Sequence, residues 1–228
     1  MDNRITMNTE SLQKQFPEVY KQFFAEQDLI LSTNFSFMWS PIWLSEYEYM
    51  SFIKQKLATK AYLGIKKNQN WNIIFKDVKY FDITNNKYDN SSYDKFNKKW
   101  DDIWKLIRNI LDENEIDYWI DISILCENSR WHWLAFSGTI GWLLATSLYL
   151  LIWAIDIDLI NNYDSFLQSE QFKQIHKLGW EIDYISRFEV SNWVNTLMSI
   201  HNSSAPIFYL AENYNEEISF EKISNIWF

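Results

Sequence analysis

The sequence predicts an α+β domain, and three observations carry that reading. Apolar, β-branched runs and helical-period stretches both occur, without the strict strand–helix–strand alternation of a parallel α/β sheet. The chain has 228 residues, 47% hydrophobic and 22% charged, close to globular averages and long enough to bury a core. No internal repeat, low-complexity tract or obvious linker divides it.

The elements follow in order. An amphipathic helix opens at Thr9 or Ser11 and runs to about Gln27, with Phe16, Val19, Tyr20, Phe23 and Phe24 on one face. Pro17 lies near its first turns, where proline costs least. Leu29 to Phe37 reads as a strand, and so do Lys60 to Lys66 and Asn72 to Phe75, with Val78 to Phe81 a further candidate. Asn90 to Glu113 is a helix with Phe96, Trp100, Ile103, Trp104, Ile107 and Leu111 at helical spacing. Trp119 to Cys126 is a strand, 127–135 a loop and Phe136 to Ile155 an apolar helix. Ser165 to Phe188 is mostly helical, with an interruption expected at Gly179, and Pro206 to Leu210 is a last short strand.

Charge and cysteine usage narrow the partners. The net charge of −9 argues against a nucleic-acid surface, which needs clustered Lys and Arg. The basic run Lys95 to Lys99 sits beside Asp94, Asp101 and Asp102 and reads as a solvated helix face. Cys126 is the only cysteine, so no intrachain disulfide forms; a cytoplasmic setting and a buried, inert thiol are expected. The segment Met1 to Glu10 has no apolar core of signal-peptide length.

Tryptophan and glycine are out of proportion. The chain holds thirteen Trp and four Gly, whereas about 7% glycine is usual, roughly sixteen in a chain of this length. We read most of the tryptophans as standing where the native protein has glycine, as happens when a UGA codon for glycine is translated as tryptophan. Trp100 and Trp104 fit an apolar stripe and read as genuine. Trp71 follows Asn70 in the link between two candidate strands, where Asn-Gly would be a strong hairpin signal and Asn-Trp a poor one. The uncharged run Trp133 to Ile155 gives two readings. With literal tryptophans at 133, 142 and 153 it is a single-span membrane helix with aromatic anchors. With glycines there it is a loop entering a buried helix, which is the reading favoured, with no membrane partner.

The run Glu127-Asn-Ser-Arg-Trp131-His132-Trp133-Leu134-Ala135-Phe136-Ser137-Gly138 joins a strand to the N-terminus of the apolar helix. With glycine at 131 and 133 it is a phosphate cradle, because free backbone N–H groups and the helix dipole point at the anion. A Cβ at those positions blocks the close approach of backbone to phosphate.

In this run the sequence resembles the galacto-, homoserine, mevalonate and phosphomevalonate (GHMP) kinases, whose phosphate loop reads Gly-x-Gly-Leu-Gly-Ser-Ser-x after a strand. Residues Trp131 to Gly138 match it, with Ala135 at a glycine and Phe136 at a serine. The resemblance implies that these eight residues hold the ATP phosphates and that Ser137 helps hold Mg²⁺. Asn34-Phe-Ser36-Phe-Met-Trp39-Ser-Pro-Ile-Trp43 looks like the family's substrate motif, so Asn34, Ser36, Trp43 and the nearby Glu46 are the substrate candidates. Asn34 and Trp43 stand where the sugar-kinase version has arginine and aspartate. Ser191 to Thr196 looks like the family's Ser-Gly-Ile-Asp segment, with Trp193 in it and Asn195 at the aspartate, the catalytic candidate. An amide cannot act as a general base, although phosphoryl transfer depends mainly on positioning and charge neutralisation.

The resemblance further implies a two-layer mixed sheet with helices on one face, spanning residues 1–228 as an N-terminal domain whose C-terminal lobe is missing. Its function would be ATP- and Mg²⁺-dependent phosphorylation of a small molecule. A catalytically silent nucleotide-binding relative is the alternative. Elsewhere His132 and His201 lack further ligands at metal spacing, and Asp156 and Asp158 read as a solvated helix end.

Overall fold

The computed structural model describes residues 9–39, 49–69, 74–77, 81–82, 87–88, 90–127, 136–152, 155–162, 165–166, 168–186, 207–212 and 221–222. The N-terminal helical segment is built from α1 (Glu10–Gln15), α2 (Pro17–Val19) and a π-helical turn, Tyr20–Phe24. Pro17 takes the first position of α2, where its missing N–H is not needed. The strands are β1 (Leu29–Trp39), β2 (Tyr49–Asn68), β3 (Ile74–Asp77), β4 (Phe81–Asp82), β5 (Lys87–Tyr88), β6 (Trp119–Cys126), β7 (Ile207–Glu212) and β8 (Glu221–Lys222). The remaining helices are α3 (Asn90–Glu113), α4 (Phe136–Leu151), α5 (Ile157–Asn161) and α6 (Glu170–Ser186).

β2 is the spine of a mixed sheet. Along one edge it pairs antiparallel with β1, from Leu29↔Ile65 to Trp39↔Ile53, with an irregularity between Asn34 and Ser36. On its other edge it pairs with β7 through Tyr49 to Lys54 and with β6 through Ala61 to Asn68. β3 adds to the far edge of β6 in parallel, and β8 to the far edge of β7. The two short strands β4 and β5 pair with each other separately.

The side-chain period of two sorts the sheet faces. Leu31 and Phe35 of β1, Leu63 and Ile65 of β2, and Ile120, Ile122 and Ile124 of β6 meet the long helices. From α3 come Ile103, Ile107 and Leu111, one stripe at helical spacing. α4 is apolar nearly all round and lies buried between the sheet and α6. The expected α+β architecture, a mixed sheet with its main helices on one face, is therefore present. The N-terminal helical segment adds a smaller cover on the opposite face, where Leu12, Val19, Phe23 and Phe24 enclose Tyr62 and Leu125. A Cβ placed on Gly64 would stand 2.7 Å from Gln27 Cγ, so this cover seats directly on the β2 backbone.

Three expectations are corrected. β2 and β3 form no hairpin, because β6 is inserted between them. With no β2–β3 pairing to connect, the hairpin argument for glycine at 71 fails; Trp71 itself is outside the described residues. Gly179 does not interrupt its helix, since α6 is continuous from Glu170 to Ser186. It serves a helix crossing: a Cβ on Gly141 of α4 would lie 2.4 Å from the Gly179 carbonyl oxygen. Finally, α4 ends at Leu151 and not Ile155; Asp156 then caps α5 by accepting from the Asp158 amide at 2.9 Å. Both aspartates are exposed, in keeping with a solvated helix end. Among the described residues no helix is long and apolar enough to cross a membrane.

Candidate functional site at the end of β6

The candidate phosphate segment is bracketed by the end of β6 at Cys126 and the start of α4 at Phe136. Expectation and structure agree on the strand before this run and on the helix start after it; residues 128–135 are outside the described residues. Residues Trp131, His132, Trp133, Leu134 and Ala135 are outside the described residues, as are Trp43, Glu46 and Asn195. Phe136 and Ser137 form the first positions of α4, and Gly138 and Thr139 behind them are buried. The first turn of α4 carries no acidic residue, so its unpaired N–H groups face no competing carboxylate on their own helix.

Sheet pairing brings a second candidate alongside. Asn34 of β1 lies opposite Lys60 of β2, and Lys60 in turn exchanges hydrogen bonds with Glu127, the residue after β6. Asn34 and Glu127 are therefore two strand spacings apart, roughly 10 Å. Ser36 lies on β1 beyond the irregularity, opposite Lys56. The start of the substrate motif and the start of the phosphate segment thus share one level of the sheet.

The best-defined polar arrangement here went unassigned in the sequence. Glu127 accepts from the Lys60 amide through Oε2 at 2.8 Å, and its own amide donates to the Lys60 carbonyl at 3.0 Å. Its Oε1 accepts from the Tyr62 hydroxyl at 3.2 Å, and Ser11 Oγ of α1 lies 3.2 Å from the same hydroxyl. Burial first, and the neighbouring Glu127 carboxylate as well, push the Tyr62 hydroxyl up from 10.0 to about 12; the Ser11 contact opposes them. Tyr62 therefore stays protonated, and able to donate, through the physiological range. No spacing rule joins Ser11, Tyr62 and Glu127, because the β2–β6 register brings Tyr62 beside Glu127 and the packing of α1 adds Ser11.

Several other residues took unexpected settings. Trp142, one of the suspected glycines, is 2% exposed and packs on Phe166 with ring centroids 5.8 Å apart. Its carbonyl accepts from Thr146 Oγ1 at 2.8 Å. Trp104 supports its reading as a core residue, packing against Trp119 at 5.8 Å. Cys126 is half-buried and not enclosed, because it closes the exposed end of β6. Asp183 of α6 is fully buried at the crossing with Gly141 and drew no notice in the sequence. Among the described residues no group of three His, Cys, Asp or Glu side chains is placed to hold a metal.

No protein-family profile matches the chain, and no curated protein sequence does. Its backbone is similar to solved structures of mevalonate kinases. The enzyme from methicillin-resistant Staphylococcus aureus MRSA252 is 13% identical, with TM-score 0.47, over 81% of this chain and 53% of that one. The Methanococcus jannaschii enzyme is 16% identical, with TM-score 0.48, over 86% and 56%. A further mevalonate kinase is 18% identical, with TM-score 0.48, over 86% and 56%. The matched part thus spans about half of each of those chains. At such identities a shared chain course carries no chemistry by itself.

Proposed function

We propose that this chain is the nucleotide-binding part of a small-molecule kinase of the GHMP type. The observation that supports the reading is that the run 131–138 follows β6 in the sequence and ends in the acid-free first turn of α4. The donor set fits a phosphate: backbone N–H groups at a helix start, with the nearest upstream carboxylate, Glu127, hydrogen-bonded to β2. For Mg²⁺ the chain offers Ser137, the remaining ligands being ATP oxygens and water. When bound, Mg-ATP supplies the γ-phosphoryl group for a hydroxyl or phosphate of a small metabolite. Residues 131–138 hold and orient the phosphates, and Asn34 and Ser36, with Trp43 and Glu46, line the acceptor side. Asn195 provides no base, so its contribution is limited to hydrogen bonding.

Glycine at 131 and 133 is part of the proposal. Peptide mass spectrometry of the native protein is expected to find glycine at both positions. Titration with Mg-ATP is expected to show binding in the W131G/W133G chain and weak or no binding in the literal one. Tight binding by the literal chain would remove the glycine argument. The asparagine at 195 favours one second reading, a silent nucleotide-binding relative. Mg-ATP binding without phosphate transfer to any sugar or mevalonate-type acceptor would select it.

A further inference from the structure

We infer that Glu127 is a positioning residue for the phosphate segment, latched to the sheet by Lys60 and Tyr62 and tied through Ser11 to the N-terminal helix. The inference rests on the phosphate-site reading above, and its own evidence is the geometry around residue 127. β6 ends at Cys126, yet the ladder with β2 continues one residue further through the Glu127 amide. The carboxylate then turns the same residue into a three-point attachment: the Lys60 carbonyl, the Lys60 amide and the Tyr62 hydroxyl. The chain therefore leaves the sheet from a fixed point, four residues before Trp131.

The latch does a second thing. A carboxylate beside a phosphate site repels the ligand, and here both oxygens are hydrogen-bonded to β2. Tyr62, held protonated up to about pH 12, remains a donor to Glu127 whenever the protein is folded at ordinary pH. Its contact with Ser11 makes α1 part of the attachment, so the helical cover on that face reaches Glu127 at the end of β6. Hydrogen bonds to a charged group contribute more than neutral ones, which suits a residue that must not release.

The test uses the full chain carrying W131G/W133G and compares E127A, E127Q and Y62F on that background. Two readouts are taken: hydrogen exchange of the amides in 127–135, and the dissociation constant for Mg-ATP. E127A is expected to speed exchange in that segment about tenfold and to weaken Mg-ATP binding about tenfold. E127Q keeps the Lys60 bond through its amide oxygen and donates to Tyr62, so it is expected to stay within about twofold of the parent on both readouts. Y62F is expected to fall between them. Exchange in E127A that matches the parent overturns the latch, whatever the parent binds. So does an E127Q chain as impaired as E127A. A parent that binds no Mg-ATP but shows the E127A exchange effect overturns the phosphate reading and supports the latch.

Discussion

The carbonyl oxygen of Gly179 sits where a side chain on Gly141 would begin, 2.4 Å from an ideal Cβ at that position. α4 and α6 thus touch backbone to backbone, and the obstacle is a carbonyl that has no rotamer to escape into. Gly141→Ala is expected to push the helices apart and cost about 1–3 kcal/mol, the usual range for overpacking. A thermal melt should show it as a fall in Tm of a few degrees, about 2–4 °C per kcal/mol at this size. An unchanged Tm would mean that the helices do not cross there.

Trp142 separates literal tryptophans from suspect ones. It fills buried space against Phe166, so Trp142→Gly is expected to cost at least the roughly 3–5 kcal/mol typical of emptying an aromatic site. W131G/W133G, by contrast, is expected to leave the urea midpoint nearly unchanged. Comparable destabilisation by both changes would show that residues 131 and 133 are packed as core.

Arg108 gives a contrast between charge and stacking. Its guanidinium lies 4.4 Å from the centroid of the Trp119 ring and also pairs with Asp112 on the same helix. Asp112 is half exposed, so Asp112→Asn should cost less than about 0.5 kcal/mol. Arg108→Ala loses the stacking and the stem that covers Trp119, and is expected to cost about 1–2 kcal/mol. Denaturant curves of the two variants test the order; equal costs would assign the value to the ion pair.

Tyr62 should leave a mark at alkaline pH. Its hydroxyl is raised from 10.0 to about 12 in the folded chain. The folded state thus favours the neutral form, and the stability this brings is complete below pH 10 and is lost between about pH 10 and 12. In an ultraviolet titration of tyrosinate, the parent should show one late-ionising tyrosine that is missing from Y62F. Stability of Y62F should depend less steeply on pH across that window. Identical titration curves would place the Tyr62 hydroxyl in water.

How far the sequence could be read depends on whether the cause of each feature is local. The limits of α3 and β6 were legible because helical period and β-branched runs are written along the chain itself. The length of β2 was not, since its first half, Tyr49 to Thr59, carries polar residues that pairing with β1 and β7 holds in a strand. Gly179 was misread for a similar reason: glycine is a poor helix former alone, but only the partner Gly141 shows why one is placed in α6. At the site, the strand-to-helix change around the phosphate segment was visible. The Ser11–Tyr62–Glu127 attachment was not, because it needs both the register of two strands far apart in sequence and the docking of α1 on them.

The insertion of β6 between β2 and β3 has a consequence for how the chain folds. A hairpin can close as soon as its second strand is made, but here the pairing edge of β2 toward β3 must wait. The second edge of residues 61–68, and the strand 74–77, find their partner only when 119–126 arrives, with the whole of α3 in between. During synthesis both strand edges stay open, and open edges invite pairing with other chains. The slow step in folding is expected to be the docking of one eight-residue strand that must join β2 and recruit β3 to the sheet.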